Sequence, residues 1–141
     1  MTAKDKDAIV KKLNELLEME ISGLVRYLHY SLMITGPNRI PIVKWFKEQA
    51  LEGFEHAATI GEKITALGGH PTLKVRPVPE SNKHAVMDIL AESLEFEKEN
   101  EDLVRNLLPL TESNVSLNEM VRKLLATEQE HIEEVEKMLK K

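Results

Sequence analysis

The last long segment of the chain spaces Leu117, Val121, Leu124, Glu128, His131, Val135 and Met138 three or four residues apart, so they share one face of a helix. A stripe of this kind is the face that a helix turns towards a core. Its centre nevertheless carries a carboxylate and an imidazole one turn apart, and burying either charge without a partner costs several kcal/mol. Whatever fold the chain adopts must bring compensating groups from other segments to the same depth. A lone Glu-x-x-His is common on solvated faces; its position on an apolar stripe gives this one weight.

The other segments have the composition to supply helices. Of 141 residues, 42% are hydrophobic and 30% charged, and only 6 Gly and 6 Pro punctuate long stretches rich in Leu, Glu, Lys and Ala. The length suits one domain, residues 1–141, with a substantial core. With no cysteine, disulfides, zinc–thiolate sites, iron–sulfur ligation and thiol nucleophiles are excluded, leaving oxygen and nitrogen chemistry. No apolar run approaches the roughly 18 residues of a membrane span, and the first residues carry no apolar targeting segment, so a cytoplasmic protein is expected. A net charge of -5 argues against nucleic acid, and Lys4, Lys6, Lys11 and Lys12 read as one solvated helix face.

The breakers divide the chain into four helices. The first is expected from about Lys4 to Ile34, before Thr35-Gly36-Pro37-Asn38, with the stripe Ile9, Leu13, Leu16, Glu20, Leu24, Tyr27, Ser31 and Ile34. The second is expected with Pro41 in its first turn and to continue to Leu67, stopping at Gly68-Gly69, with a core line of Val43, Phe46, Ala50, Gly53, Ala57, Ile60, Ile64 and Leu67. Glu52 and His56 flank that line and are four apart, whereas Glu55 points elsewhere. Trp45 reads as a core or interface residue.

From Gly68 to Ser81 the chain has three prolines and no periodicity, so it reads as an extended crossover long enough to let the third helix run parallel to the second. The third helix is expected after Ser81 or Asn82 and up to Pro109, with an inner line of Val86, Leu90, Leu94, Glu97, Glu101, Val104 and Leu108. Glu101 marks where that line drifts towards solvent. Ser116-x-x-Glu119 reads as the capping box that opens the fourth helix.

Glu20, Glu52, His56, Glu97, Glu128 and His131 thus lie on or beside inward faces near mid-helix. One Glu from each of two helices, with Glu plus His from each of the other two, is the ligand pattern of dinuclear carboxylate sites in four-helix bundles. Hard carboxylate oxygens neutralise and bridge two cations there, while imidazoles complete the coordination and leave positions open.

Over nearly its whole length the sequence also resembles the bacterioferritins and their short relatives. The resemblance is carried by Leu13-Asn14-Glu15-Leu16, Met19-Glu20-Ile21, Arg26-Tyr27-Leu28-His29-Tyr30, Glu55-His56-Ala57, Leu67-Gly68-Gly69-His70-Pro71 and Glu128-Gln129-Glu130-His131. It implies an all-α, ferritin-like four-helix bundle and a ferroxidase, which oxidises two Fe(II) ions per chain with dioxygen or peroxide and stores or detoxifies the iron. It also implies Glu20 and Glu97 as terminal ligands or bridge partners, Glu52 and Glu128 as bridging carboxylates, His56 and His131 as terminal nitrogen ligands, and Tyr27 as a hydrogen-bond donor or electron source.

Three departures qualify the likeness. Gly53 stands where the second-helix Glu of the family pattern would be, so Glu52 must serve from one position earlier, with Gly53 permitting a π-bulge, or Glu55 must be recruited. Phe54 replaces the haem-ligating Met, so haem is not expected. The sequence ends with the fourth helix and lacks the short fifth helix of cage-forming members, which leaves a homodimer expected and a larger cage open. A manganese or peroxide-reducing site of rubrerythrin-like type, and a metal-free helical interaction module, stay open as alternatives.

Overall fold

The computed structural model describes residues 1–140 and contains four α-helices: α1 (Ala3–Met33), α2 (Arg39–Ala66), α3 (Val86–Leu107) and α4 (Val115–Leu139). A single 3₁₀ turn, Leu108–Thr111, joins α3 to α4, and no strand occurs among the described residues. The expected all-α bundle is what the chain forms. No described helix is long and apolar enough to cross a membrane.

The ends follow local chemistry. Thr2 and Asp5 form a reciprocal capping box that starts α1. Gly68, at φ 82°, ends α2 in a left-handed turn, with the Gly68 N–H donating to the Thr65 carbonyl and the Gly69 N–H to that of Ile64. This is the doubly bonded helix stop that favours glycine. Two boundaries differ from expectation. Helix α3 begins four residues later than Asn82, because Asn82 takes a left-handed conformation (φ 59°) and the Ser81 hydroxyl accepts the Lys83 N–H. Helix α4 is capped by Asn114, whose side chain accepts the Leu117 N–H at 3.0 Å, so Ser116 lies inside the first turn rather than at the cap.

Direction follows from which residues meet. Glu20 lies by His56 and Tyr27 by Trp45 and Phe46, so α1 and α2 are antiparallel. Asn100 reaches Glu20 while Tyr30 reaches Glu92, so α3 is antiparallel to α1 and therefore parallel to α2. The 69–85 segment makes this possible by running along α1 as a strap. Asn14 holds its start through the His70 carbonyl (3.0 Å) and the Thr72 N–H (2.9 Å), the Arg76 N–H reaches the Glu18 carbonyl, and Glu80 pairs with His29. Arg76 also pairs with Glu99, tying the strap to α3.

The core has two apolar ends. Leu13, Leu16, Ile60, Ile64, Leu107, Leu117 and Val121 fill one; Tyr27, Ile34, Phe46, Ile89, Leu90 and Val135 fill the other. The polar residues of the central stripes lie between these two plugs. On α3 the buried line is Leu90, Ser93, Glu97, Asn100, Val104 and Leu107, rotated from the expected one, so that Ser93 and Asn100 replace Leu94 and Glu101. Ser93 donates to the Leu90 carbonyl (2.8 Å) and the Asn100 amide N–H to Glu20, while Glu101 turns outward to Arg105.

Candidate metal centre

Each helix contributes at mid-length. Helix α1 brings Glu20, buried, and helix α3 brings Glu97, also buried. Helix α2 brings Glu52 and His56, and α4 brings Glu128, buried, and His131. Glu55 is exposed on the far side of α2. The fold therefore assembles all six residues singled out from the sequence and leaves Glu55 outside.

Two sets of ligand atoms converge within 4.8 Å among the described residues, Glu20–His56–Glu128 and Glu97–Glu128–His131. They share Glu128. His56 Nδ1 lies 3.7 Å from Glu20 Oε1, and His131 Nδ1 lies 3.7 Å from Glu97 Oε2. Since metal bonds to such nitrogen and oxygen atoms are about 2.1 Å long, one cation can touch both atoms of either pair. Glu52 stands outside both sets, its Oε2 2.8 Å from His131 Nε2 and its Oε1 3.6 Å from His56 Nε2.

Helix α2 runs through this region as an unbroken α-helix, so the expected π-bulge is absent. Glu52 reaches the histidines from ordinary helical geometry because its long side chain crosses towards α4. Gly53 faces α1 instead: a Cβ there would lie 3.3 Å from the Glu20 carbonyl oxygen, so the residue allows the two backbones to approach closely.

The electrostatics are those of an overcrowded carboxylate site. Burial, reinforced by the adjacent charge of Glu97, pushes the Glu128 carboxyl well above its usual range. Burial acts the same way on Glu97, but the close approach of Glu128 and His131, together with the Tyr27 hydroxyl, outweighs it and holds this carboxyl below its usual value. For His131 burial favours the neutral ring, yet Glu52 and Glu97 outweigh it and raise the imidazole to about 10. His56 is raised too, the carboxylates of Glu20 and Glu52 overcoming desolvation. Glu52 is lowered, chiefly by its hydrogen bond with His131. Tyr27 donates its hydroxyl proton to Glu97 Oε1, and burial together with that carboxylate raises the phenol well above its ordinary value.

Cations fit this donor set. One oxygen each of Glu97 and Glu128 is buried without a hydrogen-bond partner, a costly arrangement unless something positive is to be bound. Four carboxylates balance two divalent charges, and the donors are the oxygen and imidazole types that iron and manganese accept. The cavity between them measures about 10 Å³, room for roughly one water-sized sphere, which excludes an organic substrate.

Sequence reasoning missed two amides. Asn100 donates to Glu20 Oε1 at 3.2 Å, and Gln49 lines the cavity. Each sits one turn from a central carboxylate, Glu97 or Glu52, and that spacing was the signal available.

A model of the ferritin-like domain family matches residues 10–141. Among solved structures, a ferritin-like diiron-carboxylate protein from Bacillus anthracis is 27% identical, with 99% of this chain and 100% of that one covered at a TM-score of 0.87. A dodecameric thioferritin, the bacterioferritin-related protein of Bacteroides fragilis, is 21% identical, with 95% and 85% covered at 0.86. The bacterioferritin of Desulfovibrio desulfuricans is 19% identical, with 96% and 80% covered at 0.88. The last two likenesses carry the fold alone. Among curated protein sequences none matches. With the family model spanning all but the first nine residues, and with a four-helix architecture that is bacterioferritin-like, this chain belongs to the ferritin-like domain family.

Proposed function

We propose that the protein is a di-iron carboxylate ferroxidase serving iron storage or detoxification. The observation that carries this reading is the pair of ligand sets joined through Glu128. Glu20 and His56 would hold one Fe(II), Glu97 and His131 the other, with Glu128 between them. The reaction takes one electron from each of two substrate Fe(II) ions and delivers both, with two protons, to dioxygen to give peroxide or to peroxide to give water. Tyr27 holds a proton at Glu97 Oε1 and lines the cavity, which suits it as a donor to the reaction. The apolar plugs at both ends limit water around the carboxylates and so strengthen their hold on cations.

A purely structural Glu–His network would pair its buried oxygens, whereas Glu97 and Glu128 each keep one unpaired. The test is Fe(II) loading and oxidation by wild type, Glu128→Ala and His131→Ala. We expect two Fe(II) bound per wild-type chain, loss of tight binding of the second ion in both variants, and initial oxidation rates reduced about 100-fold or more, since losing the positioning of reactants removes such factors. Two irons per chain retained in both variants would exclude these ligands. Consumption of dioxygen against hydrogen peroxide per iron distinguishes ferroxidase from a peroxide-reducing enzyme of rubrerythrin-like type, and repeating it with Mn(II) tests the manganese form.

A further inference from the structure

Glu52 differs from the other five residues in position. Its side chain is 32% exposed, against 17% for His56, 15% for His131, 6% for Glu20 and 3% for Glu97. It stands at the solvent edge of the site, between α2 and α4. From there one carboxylate faces two rings: Oε2 is 2.8 Å from His131 Nε2, and Oε1 is 3.6 Å from His56 Nε2.

The two nitrogens of an imidazole point to different sides of the ring. Since both Nε2 atoms face Glu52, both Nδ1 atoms face inward, each 3.7 Å from a buried carboxylate oxygen, Glu20 Oε1 or Glu97 Oε2. A histidine that binds a metal through one nitrogen donates the N–H of the other to a carboxylate or carbonyl, which fixes its tautomer and the plane of its ring. Here a single carboxylate stands at hydrogen-bond distance from His131 and 3.6 Å from the ring of His56, so one residue of α2 faces both histidines from the same side. Were Glu52 itself to turn inward as a bridge, both Nε2 atoms would lose that partner. Gly53, the neighbouring position on the inward line, has no side chain to supply a second bridge and lies against the α1 backbone.

We propose that Glu52 is a positioning residue that holds the Nε2–H of His131 and orients that of His56, leaving Glu128 as the carboxylate that the two ligand sets would share. The inference rests on the metal-binding reading above and assigns one residue within it.

Co(II) is a suitable probe, because it reports its ligands through visible absorption and is not oxidised under the same conditions. The full chain would be titrated as wild type, Glu52→Ala and Glu52→Gln, by calorimetry and by absorption, with circular dichroism confirming equal helix content. Glutamine is the informative variant, since its amide oxygen still accepts an N–H but cannot replace a bridging carboxylate. We expect two Co(II) per chain in all three proteins. Affinity should fall about 10- to 100-fold in Glu52→Ala, the range seen when the outer partner of a metal-bound histidine is lost, and Glu52→Gln should recover most of it with wild-type absorption bands. Saturation of Glu52→Ala at one Co(II) per chain, or a Gln variant as weak as the Ala variant, would overturn the inference in favour of a bridging Glu52. Unaltered affinity in Glu52→Ala would overturn it in favour of no role. A wild-type chain that binds no Co(II) removes the metal reading itself, a result distinct from either.

Discussion

Burial and the neighbouring Glu97 both oppose the charge of Glu128, so its carboxyl holds a proton to higher pH than an ordinary glutamate. Glutamine mimics that neutral acid. Glu128→Gln should therefore keep or raise the thermal midpoint of the chelator-treated protein, while abolishing tight binding of the second cation; a midpoint lowered by more than a few degrees in calorimetry would mean that the carboxylate is part of a structural network. His131 gives the pH dependence. Its ordinary value of 6.5 is raised to about 10 by Glu52 and Glu97. A raised folded-state value adds stability that is fully present below 6.5 and is lost as pH climbs towards 10. Glu128 acts in the same direction, being more costly once ionised. The metal-free protein should thus lose stability steadily from neutral to alkaline pH, whereas cation affinity should rise over the same range because binding displaces these protons. Denaturant titrations at several pH values, with and without chelator, check both. The titratable members of the site were legible in the sequence, since a Glu or His on an apolar stripe is conspicuous. Asn100 and Gln49 were not, because an amide on a helix carries no cost large enough to demand a partner until its neighbours are known.

Helix ends divide along similar lines. Gly68 and the Gly36-Pro37 break were readable because only certain residues tolerate those conformations. The start of α4 was not, because Asn114 and Ser116 are both good caps and only the backbone decides between them. Asn114→Ala should cost about 1 kcal/mol, lowering the midpoint by about 4 °C, and Ser116→Ala should cost only a few tenths. Equal losses would restore the cap to Ser116. The start of α3 failed for a different reason. The strap must first reach the end of α1, where Glu80 meets His29, before the chain can turn back into a helix. That is a demand of the crossover's span, met locally by the left-handed turn at Asn82, and no periodicity in Asn82 to Ala85 announces it. The parallel course of α2 and α3 was nevertheless readable, since a connection this long has no other use in a bundle.

On the scale of the molecule, Val25, Leu28 and Leu32 of α1 and Ile40, Leu51 and Phe54 of α2 leave large apolar side chains exposed on outward faces. Trp45 of α2 is half-buried, edge-on to Tyr27 at 6.3 Å. Such a surface calls for a covering partner, and we expect a second copy of this chain. Light scattering at micromolar concentration should give at least a dimer for the wild type and a monomer for Leu32→Glu combined with Phe54→Glu. A monomeric wild type would contradict this.

The strap has a further consequence. It is the sole covalent link between two helical hairpins, and Leu73, in its first half, is 97% exposed. The six-residue constellation is split evenly across it, Glu20, Glu52 and His56 on one side, Glu97, Glu128 and His131 on the other. Cations held there would act as rivets between two half-molecules. A single cut beside Leu73 would turn an internal centre into a two-piece assembly, whose lifetime would then be set by its load of metal.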